Sequence, residues 1–386
     1  MQAEFAWLPQ AGNTRATEPL DELARMRPPV KRRSLGALVA TLAPALPGSP
    51  QGRVAGAEAP DQQNWQEFQR RFMEPDGRVI DTANGRVSHS EGQGWALLLA
   101  AGHGDRSSFD RVLHWTQKTL RRRTDSLFSW RYRPGATPPV DDPNNATDGD
   151  LYIAWALLRA AERWRDPALQ AAGAAIGRDI LRLLPREAAG QLLLLPGVHG
   201  FEMAAGLVVN PSYFVFPAYA ALAHAVPDPR WNRLTLDGLG LLRQARFGRW
   251  GLPPDWLTVR RAGGPLALPS RWPPRFSFDA VRIPLLLAWA GHGAEPAVAA
   301  ARTFWSDPAQ AGPPAWADLA TDAVAGFPAS PGVRAIASLA AAVATPGLPV
   351  AIPSVQAAAD YYAAALILLV GMAARDLGLN AARVTH

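Results

Sequence analysis

The chain predicts an all-α protein, and three observations carry that reading. From about Asp61 onward the apolar runs are rich in Ala and Leu, Pro and Gly punctuate the joins, and strand signals hardly appear. Segments that are apolar nearly all round alternate with segments that carry one apolar and one charged face. The joins between them are short, which makes successive helices antiparallel neighbours.

In chain order, the periodicity places helices at 61–73, 91–102, 106–122, 148–164, 167–184, 212–225, 230–245, 279–291 and 295–305, one somewhere within 315–343, and a last one at 355–375. The second ("GWALLLAAG"), fourth ("LYIAWALLRAA"), sixth ("YFVFPAYAALAHAV"), eighth ("DAVRIPLLLAWAG") and last ("YYAAALILLVGMAA") are apolar on every side and belong inside. They are too short or too interrupted to span a membrane. Two-faced helices such as "RVLHWTQKTLRRR" and "RWNRLTLDGLGLLRQAR" belong outside. An outer and inner alternation points every inner helix the same way, so their N-termini gather at one mouth. Six such pairs close into an α/α barrel, but 305–353 is too rich in Pro and Ala to show the pairs cleanly.

The first sixty residues differ. Residues 1–60 read as an N-terminal extension and 61–386 as a single domain. Within about 27–57, Lys31, Arg32 and Arg33 form a charged head, Leu35 to Leu46 a short apolar segment, and Ala55, Gly56 and Ala57 a small-residue cleavage site. That is the layout of a secretory leader, with Met26 the better start and a periplasmic or secreted destination. A proline-rich tail without regular structure is the competing reading.

Composition narrows the chemistry. The chain of 386 residues is 48% hydrophobic and 19% charged, a globular balance. Its formal charge of +6 comes almost wholly from scattered Arg, Lys31 and Lys118 being the only lysines, so no stripe for nucleic acid forms. Arg121, Arg122 and Arg123 read as a solvated face. The absence of Cys removes disulfides, zinc-thiolate sites and cysteine nucleophiles. The seven His show no ligand spacing, and no phosphate loop or nucleophile elbow occurs, so neither a metal nor a cofactor is expected.

The polar segments that lead into inner helices each bring a reactive side chain: Glu91 in "SHSEGQG", Asp148 and Asp150 in "NNATDGD", Tyr213 in "VNPSYF", and Asp279 and Arg282 in "RFSFDAVR". Each has an ordinary alternative. Ser90 with Gln93, or Ser88 with Glu91, fits a capping box, and Asp148 and Asp279 fit N-caps. Three acids at one end of a buried helix series also fit glycosidic hydrolysis, which needs a protonated acid for the leaving oxygen and an ionised base for water. Spacing along the chain leaves open whether they stand 6.5–9.5 Å apart, as in inverting enzymes, or about 5 Å, as in retaining ones. A helix N-terminus favours the ionised form whereas a general acid must hold its proton, so burial or a neighbouring charge such as Asp148 has to prevail at Glu91.

"SEGQGWALLLA", "NNATDGDLYIAWALL", "NPSYF" and "FSFDAVRIP", in that order, closely resemble family 8 glycoside hydrolases, in particular the endo-β-1,4-glucanases encoded beside bacterial cellulose synthases. The resemblance runs from about Trp65 to the last helix. It implies an (α/α)6 barrel, an inverting metal-free mechanism, β-1,4-glucan as substrate and functional proximity to cellulose synthase. By the same resemblance Glu91 is the general acid, Asp279 the general base, Asp148 the group that holds the distorted sugar, and Tyr213 an aid in placing the water. Arg282 keeps Asp279 ionised, and Trp130, in "SLFSWRY", matches a position on the cleft wall. Tyr361 and Tyr362 are further aromatic candidates. Phe278 departs from the family, where many members carry Tyr before the base. A glycan-binding component without turnover, and the same hydrolase acting on chitosan, xylan or mixed-linkage glucan, remain alternatives.

Overall fold

In the computed structural model the described residues are 60–384, and they form one compact unit by themselves. The leader expected at 27–57 lies outside them. Eleven α-helices follow one another: α1 (Pro60–Phe72), α2 (Ser90–His103), α3 (Arg106–Leu120), α4 (Thr147–Trp164), α5 (Pro167–Leu183), α6 (Phe216–Ala225), α7 (Pro229–Gln244), α8 (Ile283–Trp289), α9 (Pro296–Trp305), α10 (Pro331–Ala342) and α11 (Tyr361–Asp376).

The alternation is realised. Helices α2, α4, α6, α8 and α11 touch in that cyclic order, and α11 returns to α2. The wall facing outward is built by α1 on α11, α3 on α2, α5 across α4 and α6, α7 on α6, and α9 on α8. Helix α10 packs on α8, α9 and α11. In α11 every residue from Ala363 to Ala374 is buried, and each fully buried Leu or Ile there contributes about 1.5–3 kcal/mol of hydrophobic stabilisation. This is the all-α (α/α)6 architecture, formed with eleven α-helices among the described residues rather than twelve. Residues 306–330 contain no α-helix. Pro308, Pro313, Pro314 and Pro328 withhold backbone donors across that stretch, which is why six pairs could not be counted there.

Three inner helices start later than the expected bounds of 212, 279 and 355. Asn210 Oδ1 accepts the Ser212 N–H at 3.1 Å and sets a 3-10 turn over Pro211–Tyr213, so α6 begins only at Phe216. A second 3-10 turn, Ala280–Arg282, precedes α8. Asp360 caps α11 by accepting the Ala363 N–H at 2.7 Å, and Val355–Ala357 forms a separate 3-10 turn before it.

Short strands, which the sequence barely signals, cluster in the joins. Ser88–His89 pairs antiparallel with Arg131–Tyr132. Gly206–Val209 pairs with Leu257–Arg260 in the register Val209↔Leu257, and Arg275–Phe276 pairs with Ala317–Asp318. These strands end two to four residues before Glu91, Tyr213 and Asp279.

The glycines beside Glu91 and Asp148 explain why α2 and α4 approach so closely. A Cβ on Gly149 would stand 2.2 Å from Ser90 Oγ and 2.8 Å from the Glu91 backbone N, and one on Gly94 would stand 2.7 Å from Tyr152 Cβ. On an open helix surface Gly→Ala gains up to about 1 kcal/mol of helix propensity. Here overpacking of about 1–3 kcal/mol opposes that gain, and the backbone contact has no room to relax. Gly149→Ala is therefore expected to lower the free energy of unfolding in urea by about 1–2 kcal/mol, where an exposed glycine of similar φ would show the opposite sign.

Candidate active site

Five joins that lead into inner helices converge, and neither expected capping arrangement survives in them. The N-cap of α2 is His89, without a side-chain cap bond. Gln93 turns away from Ser90: its Oε1 accepts the Val79 N–H at 2.7 Å, and its amide donates to Gly77 O at 3.2 Å and Thr116 Oγ1 at 2.9 Å. Asp148 is the second residue of α4, whose N-cap is Ala146. Its Oδ1 accepts the Gly149 N–H at 2.9 Å. Asp279 stands at the head of the 3-10 turn without capping it. The acids are spent on one another's surroundings rather than on helix ends.

Their shared partner is Arg282, a guanidinium whose side chain is 2% exposed. Nη1 contacts Glu91 Oε1 and, at 3.2 Å, Asp148 Oδ2. Nη2 donates to Asp279 Oδ1 at 2.7 Å and to Ser212 Oγ at 2.9 Å. Its Cζ lies 5.8 Å from the Trp95 ring centroid and 5.9 Å from that of Tyr213. Arg282 reaches Asp279 and also ties in Glu91 and Asp148, but it does not hold Asp279 in the ordinary ionised range as expected, because burial and the neighbouring acids outweigh it. A planar fork with five donors can serve several carboxylates at once, which an ammonium cannot do in this geometry.

Exposure separates the three acids. The Glu91 side chain is 17% exposed, Asp279 10% and Asp148 2%. Burial pushes Asp148 up to about 7 despite the guanidinium. Burial, then the charges of Asp255 and Asp148, hold Asp279 well above the usual carboxylate range, and the Asn210 amide opposes this. Three carboxylates around one cation cannot all ionise without leaving two uncompensated negative charges in a dry site. The cluster therefore retains a proton near neutral pH, and the carboxyls that burial raises are Asp148 and Asp279. Tyr213, 8% exposed, has its phenol raised by burial and then by Asp148 and Asp279, and so stays a neutral donor beside both.

The aromatic candidates divide. Trp130 is 4% exposed. Its Nε1 donates to Asp142 Oδ2 at 2.9 Å, the Arg131 guanidinium lies over its ring at 4.2 Å, and His89 stacks at 6.1 Å. Its carbonyl accepts the Ser90 N–H at 3.0 Å, so it braces the start of α2. Tyr361 packs against Gly92, 3.2 Å from the position of an added Cβ. Tyr362 donates its hydroxyl to the Phe278 carbonyl. The half-exposed Trp256 and Trp272 stack face to face with centroids 4.7 Å apart, and Trp256 lies 6.3 Å from Tyr213. Sequence reasoning missed Asn210, Ser212 and Asp255, all buried. Asp255 carried only a faint signal, a lone acid between two prolines and a tryptophan in "GLPPDWL". Among the described residues no cluster of His, Asp and Glu is arranged to hold a metal ion.

The sequence from 53 to 376 matches the family described as Glycosyl hydrolases family 8. The chain belongs to that family. A probable endoglucanase of Novacetimonas hansenii is 44% identical over 319 residues, spanning 82% of this chain and 92% of that protein. An endoglucanase of Cellulomonas uda is 44% identical over 276 residues, spanning 71% and 76%. Among solved structures, an endo-β-1,4-glucanase from Acetobacter xylinum superposes with a TM-score of 0.78 at 42% identity, covering 83% of this chain and 100% of that one. This family 8 glycosyl hydrolase therefore shares both sequence and barrel with them.

The raised Asp148 gives a stability signature with a definite sign. Its folded value of about 7 exceeds the ordinary 3.8, so its contribution is fully present below about pH 4 and is lost as pH rises toward 7. Asp148→Asn removes that titration. Chemical denaturation at a series of pH values is expected to show the variant gaining on the wild type between about pH 4 and 7, with a constant difference counting against the assignment.

Proposed function

We propose that this family 8 hydrolase is an endo-β-1,4-glucanase that cuts by inversion, with Glu91 as general acid and Asp279 as general base. The observation that supports it most directly is the single guanidinium of Arg282, which holds these two carboxylates, 188 positions apart in the chain, at one place. Glu91, the most exposed of the three acids, protonates the glycosidic oxygen as the bond to the anomeric carbon breaks. A water attacks that carbon from the opposite face and passes its proton to Asp279. The product sugar then carries the inverted configuration.

Asp148 holds the hydroxyls of the distorted sugar at the cleavage point, and Tyr213 donates to the attacking water. Trp130 serves through its brace on α2 and the edge of its ring, since both Arg131 and His89 lie against it. β-1,4-Glucan as substrate follows the similarity to the endo-β-1,4-glucanase from Acetobacter xylinum. An export route and a place beside cellulose synthesis follow the leader-like layout of residues 27–57 and the resemblance to glucanases encoded with cellulose synthases.

Glu91→Gln and Asp279→Asn are each expected to lower kcat on carboxymethylcellulose by about 100- to 10,000-fold, with KM little changed, in a reducing-sugar assay. NMR of the early product from a soluble cello-oligosaccharide should show the α-anomer first. Early β-anomer would overturn inversion, and near-normal turnover in either variant would overturn its assigned role. Faster release from chitosan or xylan than from cellulose would replace the substrate.

A further inference from the structure

We propose that Asp255 is a positioning residue for the reaction: it clamps the turn that carries Asp279 and sets a second carboxylate beside it. This rests on the reading of Asp279 as the base.

The clamp is explicit. Asp255 Oδ1 accepts the N–H of Ser277 at 2.9 Å and that of Ala280 at 2.7 Å, on either side of Asp279, while Oδ2 accepts the Ser277 hydroxyl. Its own N–H donates to Arg275 O at 2.7 Å. The pairing Val209↔Leu257 sets Asn210 and Asp255 just beyond the same end of two neighbouring strands. From there the Asn210 amide lowers the proton affinity of Asp279.

An amide could do the clamping. With Asn at 255, Oδ1 would still take both N–H groups and Nδ2 could donate to the Ser277 hydroxyl, which rotates to accept. A carboxylate in this place is the costlier choice, because it is 7% exposed and close to a second acid. What it adds is charge. The groups facing Asp279 are Arg282 from its own turn, Asp148 from α4, Tyr213 from the 3-10 turn before α6, Tyr362 from α11, and Asp255; Glu91 from α2 acts through Arg282. Of the two anions that raise the proton affinity of Asp279, Asp255 is the larger influence. Burial raises the Asp255 carboxyl above the usual range, and the donors of Ser277 and Ala280 oppose that rise.

The test is the pH dependence of kcat/KM on carboxymethylcellulose for the wild type, Asp255→Asn, Ser277→Ala and Asp279→Asn. Asp255→Asn is expected to move the acidic limb to lower pH by about one unit and to lower kcat at the optimum about tenfold, with KM and thermal unfolding near the wild type. Ser277→Ala removes one donor and keeps the charge, so its limb is expected to stay in place. An acidic limb unmoved in Asp255→Asn, or moved equally in Ser277→Ala, would overturn the inference even if Asp279→Asn is inactive. Full turnover by Asp279→Asn removes the base reading itself, and is separable from those outcomes.

Discussion

A guanidinium buried at 2% exposure must be paid for by its partners, and in this protein the partners are the reactive groups. Removing an arginine from water costs several kcal/mol unless hydrogen bonds and opposite charge compensate. Arg282 finds Glu91, Asp148, Asp279 and Ser212. The carboxylates face the same cost and find only one cation, so charge in the cluster is short by design of number rather than of distance. That imbalance leaves a proton in the site, which the proposed pairing of an acid with a base requires.

The barrel exists to bring those groups to one point. Inner helices of uniform direction present their first turns together, and every join that enters one contributes a residue. Close approach of α2 and α4 is allowed by Gly94 and Gly149, whose missing side chains let Ser90 and the Glu91 backbone sit against the start of α4. The short strand pairings then trim the joins. Ser88 opposite Tyr132 fixes the entry to α2, and Phe276 opposite Ala317 fixes the entry to the Asp279 turn. Helices supply the direction and strands the final register.

How much of this was legible in the chain follows from the range of each interaction. Helix periodicity is local, and the helices lie where it placed them, α10 inside the broad window 315–343, with late starts where Asn210 and Ser354 cap 3-10 turns ahead of α6 and α11. Glu91, Asp148, Asp279 and Arg282 were legible because each sits at the edge of an apolar run and the family pattern repeats there. Asp255 and Asn210 were not. Their adjacency is created by a four-residue strand pair, Gly206–Val209 with Leu257–Arg260, between segments about fifty residues apart, and strands that short leave no period to detect. Gln93 misled in the other direction: its spacing from Ser90 satisfies the capping pattern, yet burial against Val79, Gly77 and Thr116 claims its amide. Trp130 was expected on a cleft wall, and packing shows Arg131 and His89 against its ring.

The seating of Tyr361 on Gly92 has a temporal consequence. The first inner helix meets its last neighbour only when the ribosome has released some 270 further residues, and contacts of such sequence separation form slowly. Until then the α2 surface that receives Tyr361 lacks that neighbour. A nascent or prematurely terminated polypeptide holds Glu91 long before it holds a closed ring, so the ring closes only after α11 has been made.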